Sequence, residues 1–250
     1  MARVPSLPWR RAAGAVVLLA GVTGVLGDTP LLAPVALAIA DAPPPAPWAL
    51  VLLPNQTKPR SRFVSAVVDG HPVLRITAEN SYATLVHPLP AGTARGHTLA
   101  WRWRVDEPLP KANLREKTGD DTAVKVCVLY DEPLDKVPAG ERLWLKAASA
   151  LAGTDTPAAT VCYVWDARLP AGTVLPSPFT RRVRYLVLHS EDVPLATWVA
   201  ERRDLDADFL KLFGDEVQSV PPLVAVMLGA DADNTHGHSV AYVGDLVLER

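Results

Sequence analysis

The run Trp101-Arg102-Trp103-Arg104-Val105-Asp106 constrains the fold more than any other stretch of the chain. Side chains of a β-strand alternate between its two faces. Trp101, Trp103 and Val105 then point one way, and Arg102, Arg104 and Asp106 the other. Two indoles can fill a core, whereas two guanidiniums and a carboxylate cannot be left dry and unpaired. A strand of this kind belongs to a sheet with one packed face and one charged, wet or ligand-facing one.

Residues 1–40 read as a leader rather than as part of that sheet. Arg3, Arg10 and Arg11 precede an apolar stretch over residues 12–27, which is short for a bilayer-spanning helix of roughly 20 residues. Ala38-Ile39-Ala40 fits a small-x-small cleavage site with Asp41 as the first mature residue, although the spacer from Gly27 to Ala40 is long and holds Pro30 and Pro34. An uncleaved anchor is the other reading. The first cysteine is Cys127, so a lipid-anchored lipoprotein is excluded. The division is a signal peptide over 1–40, a proline-rich linker over 41–47 (DAPPPAP) and one domain over 48–250, periplasmic or secreted. Beyond Ala40 there are 22 basic and 26 acidic residues, a net charge of −4 with histidine neutral. That is no footprint for nucleic acid, and no long apolar run remains there to span a membrane.

Period-two alternation recurs along this domain. Strands are expected over 63–68 and 73–78 around the turn Asp69-Gly70-His71-Pro72, and over 82–87 before Pro88-Leu89-Pro90 stops the chain. Further strands are expected over 99–105, 123–130, 160–165, 182–187, 224–228 and 242–248, with residues 48–53 an edge strand or a lead-in. Two stretches have helical spacing. Residues 141–151 place Leu143, Trp144, Ala147 and Leu151 on one side, and residues 204–213 place Leu205, Phe209, Leu212 and Phe213 so, with Asp204 as cap and Gly214 as stop. Many short strands with turn signals predict an all-β sandwich with one or two short helices. Cys127 and Cys162 each fall inside a strand. An oxidising compartment permits a bridge between them, and a pair of buried thiols fits the sequence as well.

Several groups of residues have chemistry to offer. If the central strands are neighbours in register, Arg102, Arg104, Lys125, Arg182 and Arg184 share a basic face able to grip carboxylate or phosphate; the plainer reading pairs these cations with Asp106, Glu201 or Asp245. Asp231-Ala232-Asp233-Asn234-Thr235 sets oxygen-bearing side chains close enough for a structural calcium, with Asp231 and Asp233 as ligands. It lacks the spacing of an EF-hand loop, and Asp and Asn also serve ordinary turns. Gly119-Asp120-Asp121 lies just before a strand and can bring carboxylates to the same place. His236-Gly237-His238 offers two imidazoles without a clear third metal ligand. Asp120, Asp121, Asp166, Asp231 and Asp233 supply carboxyls for an acid–base pair, but nothing in their spacing fixes a separation. There is no nucleophile elbow, P-loop or dinucleotide fingerprint. Trp101, Trp103, Trp144, Trp165 and Trp198 are numerous enough to stack sugars, yet those at alternating strand positions read first as core.

In order along the chain stand the Trp101–Asp106 run, Gly119-Asp120-Asp121, Cys162-Tyr163-Val164-Trp165-Asp166, Asp231-x-Asp233-Asn234-Thr235 and Tyr242-x-Gly244-Asp245. Together they resemble a bacterial family of exported proteins known only as a domain of unknown function, over residues 63–248. The resemblance brings no established activity and so no catalytic residue. At the level of fold, the closing stretch with Gly244-Asp245 before an apolar run is similar to the last strand of galactose-binding-like jelly rolls, which implies carbohydrate binding and a structural calcium.

The reading is thus an all-β jelly-roll sandwich that binds a cell-envelope or environmental glycan without catalysis. Arg102, Arg104, Asp120, Asp121, Asp231, Asp233 and Asn234 would converge on one rim or face. The alternatives are a polysaccharide hydrolase or lyase with two of those aspartates as acid and base, and a structural envelope protein marked by a large exposed apolar patch.

Overall fold

The computed structural model describes residues 30–53, 55–142 and 158–250. Its strands are β1 Ala49–Val51, β2 Arg62–Val68, β3 His71–Glu79, β4 Tyr82–Thr93, β5 Thr98–Glu107, β6 Thr122–Tyr130, β7 Ala159–Trp165, β8 Val174–Pro176, β9 Val183–His189, β10 Val199–Asp204, β11 Leu223–Asp231 and β12 His238–Glu249, with helix α1 Leu205–Phe213 between β10 and β11. They form a seven-stranded sheet in the order β1-β4-β11-β6-β7-β9-β8 and a five-stranded sheet in the order β10-β5-β12-β3-β2. Within these orders β4-β11-β6-β7 lies against β3-β12-β5-β10, and the chain crosses between sheets from β1 to β2, β3 to β4, β4 to β5, β5 to β6, β9 to β10, β10 to β11 and β11 to β12. That strand order is a jelly roll, the double Greek key expected from the sequence.

The alternation in β5 does what its composition requires. Trp101, Trp103 and Val105 are buried between the sheets, while Arg102, Arg104 and Asp106 stay half exposed on the outer side. Trp101 and Trp103 meet edge to face at 5.4 Å, Trp101 lies 5.2 Å from Tyr163, and Trp103 lies 5.8 Å from Trp165. In β6 and β7 both faces are buried. Val124, Val126, Val128, Val161, Tyr163 and Trp165 join the main core. Cys127, Cys162 and Val164 join a smaller one on the outer side with Leu114, Leu175 and Tyr185. The two cysteines face each other across the β6–β7 pair and are disulfide-bonded.

Several boundaries differ from the sequence reading. β4 runs on through Pro88 and Pro90 to Thr93. Its partner β1 pairs only with Thr84, Leu85 and Val86, so beyond His87 that side of β4 is a free edge, where a missing N–H costs no ladder bond. On the other side β11 skips register between Leu223 and Ala225 beside Pro88. Strands β8 and β10 have no counterpart among the expected strands. Helix α1 is where expected: the Asp204 side chain accepts from the N–H groups of Asp206 and Ala207, and Phe209, Leu212 and Phe213 are buried. Of the helix expected over 141–151, Glu141 and Arg142 are helical and the remainder lies outside the described residues. Leu32, Val35 and Ala36, read from the sequence as leader, are buried in the main core, and Asp41 and Ala42 exchange backbone hydrogen bonds with Ser65 of β2. Among the described residues no helix is long and apolar enough to cross a membrane.

The Cys127–Cys162 bridge closes a loop of sequence separation 35, and constraint of the unfolded chain at that length is worth about 2–4 kcal/mol. Urea unfolding of a Cys127→Ala/Cys162→Ala variant should show a loss of that size, and an unchanged midpoint would mean the bridge adds nothing to stability.

Candidate functional site

The outer face of the five-stranded sheet gathers aromatic and charged side chains from four neighbouring strands. Register sets Arg104 of β5 opposite Tyr242 of β12, and Tyr242 opposite Arg75 of β3. Val199 of β10 pairs with Trp103, so Trp198, one residue earlier, stands beside Arg104 on the outer side. The indole of Trp198 lies over the Arg102 guanidinium, 4.6 Å from ring centroid to Cζ, and its Nε1 donates to Asp69 at the β2–β3 turn at 3.2 Å. Arg104 is 6.0 Å from the Trp198 ring and 5.6 Å from the Tyr242 ring. The two rings are 6.3 Å apart at 60°. Arg104 makes a bidentate pair with Asp106, at 2.6 and 2.8 Å, which holds the guanidinium firmly charged. Arg102 Nε pairs with Asp245 at 2.8 Å.

Gly244 makes this surface flat. A Cβ there would meet Val73 at 3.0 Å and Arg102 Nε at 3.3 Å. A bare glycine backbone therefore leaves Arg102 room beneath the Trp198 ring.

The predicted acidic residues assemble elsewhere. Asp231 of β11 and Lys125 of β6 lie on the outer side of the seven-stranded sheet, with Asp120 at the loop before β6. The Asp231 carboxylate accepts from Thr122 N–H at 2.9 Å, from Thr122 Oγ1 at 2.6 Å and from Lys125 Nζ at 2.8 Å. Asp120 accepts from Tyr185 OH and Ser177 Oγ, each at 2.9 Å. Burial pushes the Asp120 carboxyl up to about 6, against the pull of Lys125 and its two hydroxyl donors. Asp121 accepts four bonds, from the N–H and side-chain amide of Asn234 and from the N–H and hydroxyl of Thr235, at 2.6–3.2 Å. Asn234 also donates to the Asp120 carbonyl at 3.2 Å, and the Asp233 carbonyl accepts from Lys58 Nζ at 3.0 Å. The Asp233 carboxyl is raised by burial and by its neighbours Asp121 and Asp231.

Asp120, Asp121, Asp231, Asp233 and Asn234 are thus brought together, and Arg102 and Arg104 are not among them. The anticipated single site is divided: Arg102 and Arg104 emerge on the outer side of the five-stranded sheet and Asp231 on that of the seven-stranded sheet, as alternation dictates, while Asp120, Asp121, Asp233 and Asn234 lie in the loops before β6 and after β11. The shared basic face dissolves too. Lys125 is buried against Asp231, and Arg182 and Arg184 pack under Phe213 of α1 in ion pairs with Glu216. The cation beside Asp231, the first of the two residues read as calcium ligands, is the Lys125 ammonium. Among the described residues no group of three or more His, Cys, Asp and Glu side chains is arranged to hold a metal. His236 bonds Asn80 through Nδ1 while His238 faces Glu107 at 3.5 Å, so the two imidazoles have separate partners.

A cleft of about 340 Å³ opens beside Trp165, lined also by Pro108, Asp166, Ser190, Val193 and Leu195. Asp166 Oδ1 accepts from the N–H groups of Arg168 and Leu169, while Oδ2 has no partner among the described residues. Behind it Glu201 accepts from Trp103 Nε1 at 3.3 Å and bonds His189 Nε2 at 2.5 Å. The sequence shows Trp198 as one of several tryptophans and does not mark it as an exposed platform. The signal lies in the alternation Trp198-x-Ala200-x-Arg202, hidden because β10 carries too few apolar residues to read as a strand.

The chain belongs to the family described as protein of unknown function (DUF3047), whose model matches residues 46–247. A comparison with curated proteins gave no match. Among solved structures, it is similar to TmCBM61 in complex with β-1,4-galactotriose (7% identity, TM-score 0.35, covering 82% of this chain and 89% of that one). It is also similar to the xyloglucanase domain of NopAA, a type three effector from Sinorhizobium fredii, in complex with cellobiose (8%, TM-score 0.40, 81% and 97%). A third is the cellulose induced protein Cip1 (7%, TM-score 0.37, 80% and 90%). These are loose likenesses, and the jelly roll stands on the strand order itself.

The raised Asp120 carboxyl makes stability depend on pH in a stated direction. Between its ordinary 3.8 and about 6 the folded state holds a proton that the unfolded chain has lost, so stability falls as pH rises through this window. At roughly 1.4 kcal/mol for each pH unit between those two values, the effect is on the order of 2–3 kcal/mol. Unfolding midpoints for Asp120→Asn should be less sensitive to pH over that window than those of the wild type. Equal slopes would show that Asp120 titrates normally.

Proposed function

We propose that this chain is an exported, non-catalytic glycan-binding module that holds its ligand on the outer face of the five-stranded sheet. The observation that carries the reading is the half-buried indole of Trp198 laid over the Arg102 guanidinium, with Tyr242 and Arg104 beside it. A guanidinium against one side of the indole fixes the ring flat and turns its other side outward. A pyranose has an apolar C–H side suited to such a ring and an equatorial rim of hydroxyls suited to charged partners. Asp69, Asp106 and Asp245 accept from those hydroxyls, and Arg102 and Arg104 donate to them. Asp106 and Asp245 are already oriented by ion pairs and Asp69 by the Trp198 hydrogen bond, so little side-chain freedom is lost on binding.

Asp120, Asp121, Asp231, Asp233 and Asn234 take a structural role in this reading. Asp121 ties the loop after β11 to the loop before β6, and Asp231 neutralises buried Lys125. With both carboxylate oxygens of Asp120, Asp121 and Asp231 engaged in hydrogen bonds, these three do not supply a free acid–base pair, which supports binding over hydrolysis. The leader read in residues 1–40 and the disulfide support a periplasmic or extracellular location.

The test is retardation of the protein in native gels containing soluble cell-envelope or plant polysaccharides, followed by calorimetry with oligosaccharides. Trp198→Ala should weaken binding by tenfold or more, equivalent to about 1.4 kcal/mol, with an unchanged circular dichroism spectrum. Arg102→Ala should weaken it as well, by removing the support under the ring. Full binding by a Trp198→Ala/Arg102→Ala double variant would rule this face out.

A further inference from the structure

We infer that the leader is cut on the N-terminal side of Leu31, at Gly27–Asp28, and that residues 31–48 remain on the mature domain as a permanent strap. This rests on the reading of the chain as exported. The strap closes one open side of the sandwich, where the seven-stranded sheet ends in β4 and β1 and the five-stranded sheet ends in β2.

Its contacts are those of a built-in part. Leu32, Val35, Ala36 and Trp48 are 5–8% exposed and belong to the main core. Ala33 N–H donates to His87 Nε2 of β4 at 3.0 Å, and Trp48 Nε1 donates to the Ala33 carbonyl at 3.1 Å. The other His87 nitrogen bonds the Pro88 carbonyl at 2.7 Å, so Ala33 is what satisfies a buried imidazole whose pKa is already lowered by burial. On the other sheet Leu37 N–H donates to Ser65 Oγ at 2.9 Å, Asp41 N–H donates to the Ser65 carbonyl at 2.8 Å, and Ser65 N–H donates to the Ala42 carbonyl at 2.8 Å. These last two bonds cap the outer edge of β2, which would otherwise be open to pairing with another chain. Asp41 also pairs with Arg75 at 3.0 Å.

A cut after Ala40 would remove three core residues, the donor to His87 and the Leu37 bond to Ser65. The constraint on the cut is what the folded domain must keep. The sequence agrees. Ala40 lies thirteen residues beyond the end of the apolar stretch, across Pro30 and Pro34, whereas Gly27 closes that stretch, with Val25 two residues before it. Hydrolysis there adds one water across the bond, leaving the Gly27 carboxylate on the leader and a free amine on Asp28.

The experiment uses the full chain with a C-terminal affinity tag in a Gram-negative host, purified from the periplasm and sequenced from its N terminus. A first residue of Asp28 is expected, and any other first residue overturns the inference. A second arm places Val35→Ala in the full chain. If the strap is retained, the melting temperature of the exported protein falls by roughly 4 °C or more, as a truncated core side chain in a domain of this size predicts. An unchanged melting temperature means residue 35 is absent from the mature protein and also overturns the inference. Retention in the cytoplasm with Met1 in place would sink the export reading and the cut site with it, whereas an exported protein beginning at Asp41 would sink the cut site and the strap and leave the export reading standing.

Discussion

The structure turns on one strand that separates two incompatible environments within a single residue step. Trp103 is fully buried, and Arg104 beside it in the chain reaches solvent on the opposite side of the sheet. Neither position tolerates the other's chemistry: an indole outside would expose a large apolar surface, and a guanidinium inside would lack the partners that a buried charge requires. Once β5 is held in this orientation, its neighbours follow. Val243 and Ala241 of β12 turn inward and Tyr242 outward, and Val199 of β10 stands opposite Trp103 while Trp198 falls beside Arg104. The packed core and the aromatic–charged face are therefore two sides of the same register, and a one-residue slip would destroy both.

Buried charge in this molecule holds loops, and exposed charge shapes a surface. The Asp121 carboxylate has each oxygen engaged twice, and the atoms that engage it belong to a loop more than a hundred residues away in sequence. Lys125 and Asp231 neutralise each other between adjacent strands of the same sheet, in an environment where either alone would be costly. Arg102 and Arg104 are different. Their carboxylate partners lie on the same sheet and are partly solvated, so water or a hydroxyl-rich ligand can share the same donors and acceptors without leaving a charge stranded.

This distinction also explains what the sequence could and could not convey. Alternation in β5, β6, β7 and β9 marks the strands and their core sides, since period two is a local property. The cap at Asp204 is equally local and equally legible. The edge strands β8 and β10 are not: β10 reads Val199-Ala200-Glu201-Arg202-Arg203-Asp204, with Glu201 turned toward His189 and Trp103 where an apolar residue would have signalled a strand. Proline marks the end of β4 too early because a free edge removes the usual penalty. Convergence of the arginines with the aspartates fails for a topological reason. Which outer side a strand residue reaches depends on the sheet its strand joins, and sheet membership is set by pairings between segments far apart in the chain.

The same reasoning bears on why a recognition face would sit on the five-stranded sheet rather than on its partner. The seven-stranded sheet has its outer side covered by Leu114, Leu175 and the disulfide, and its remaining polar groups are consumed by Lys125, Asp231, Asp120 and Tyr185. A ligand arriving there would have to displace a packed layer. On the five-stranded sheet the turn residue Asp69 and the bulge residue Asp245 bring carboxylates to the margin of the Trp198 ring, both with positive φ, near +50°. Short polar side chains at such positions tolerate the left-handed backbone better than most, so the geometry that shapes the turn and the bulge also delivers the acceptors that frame the ring.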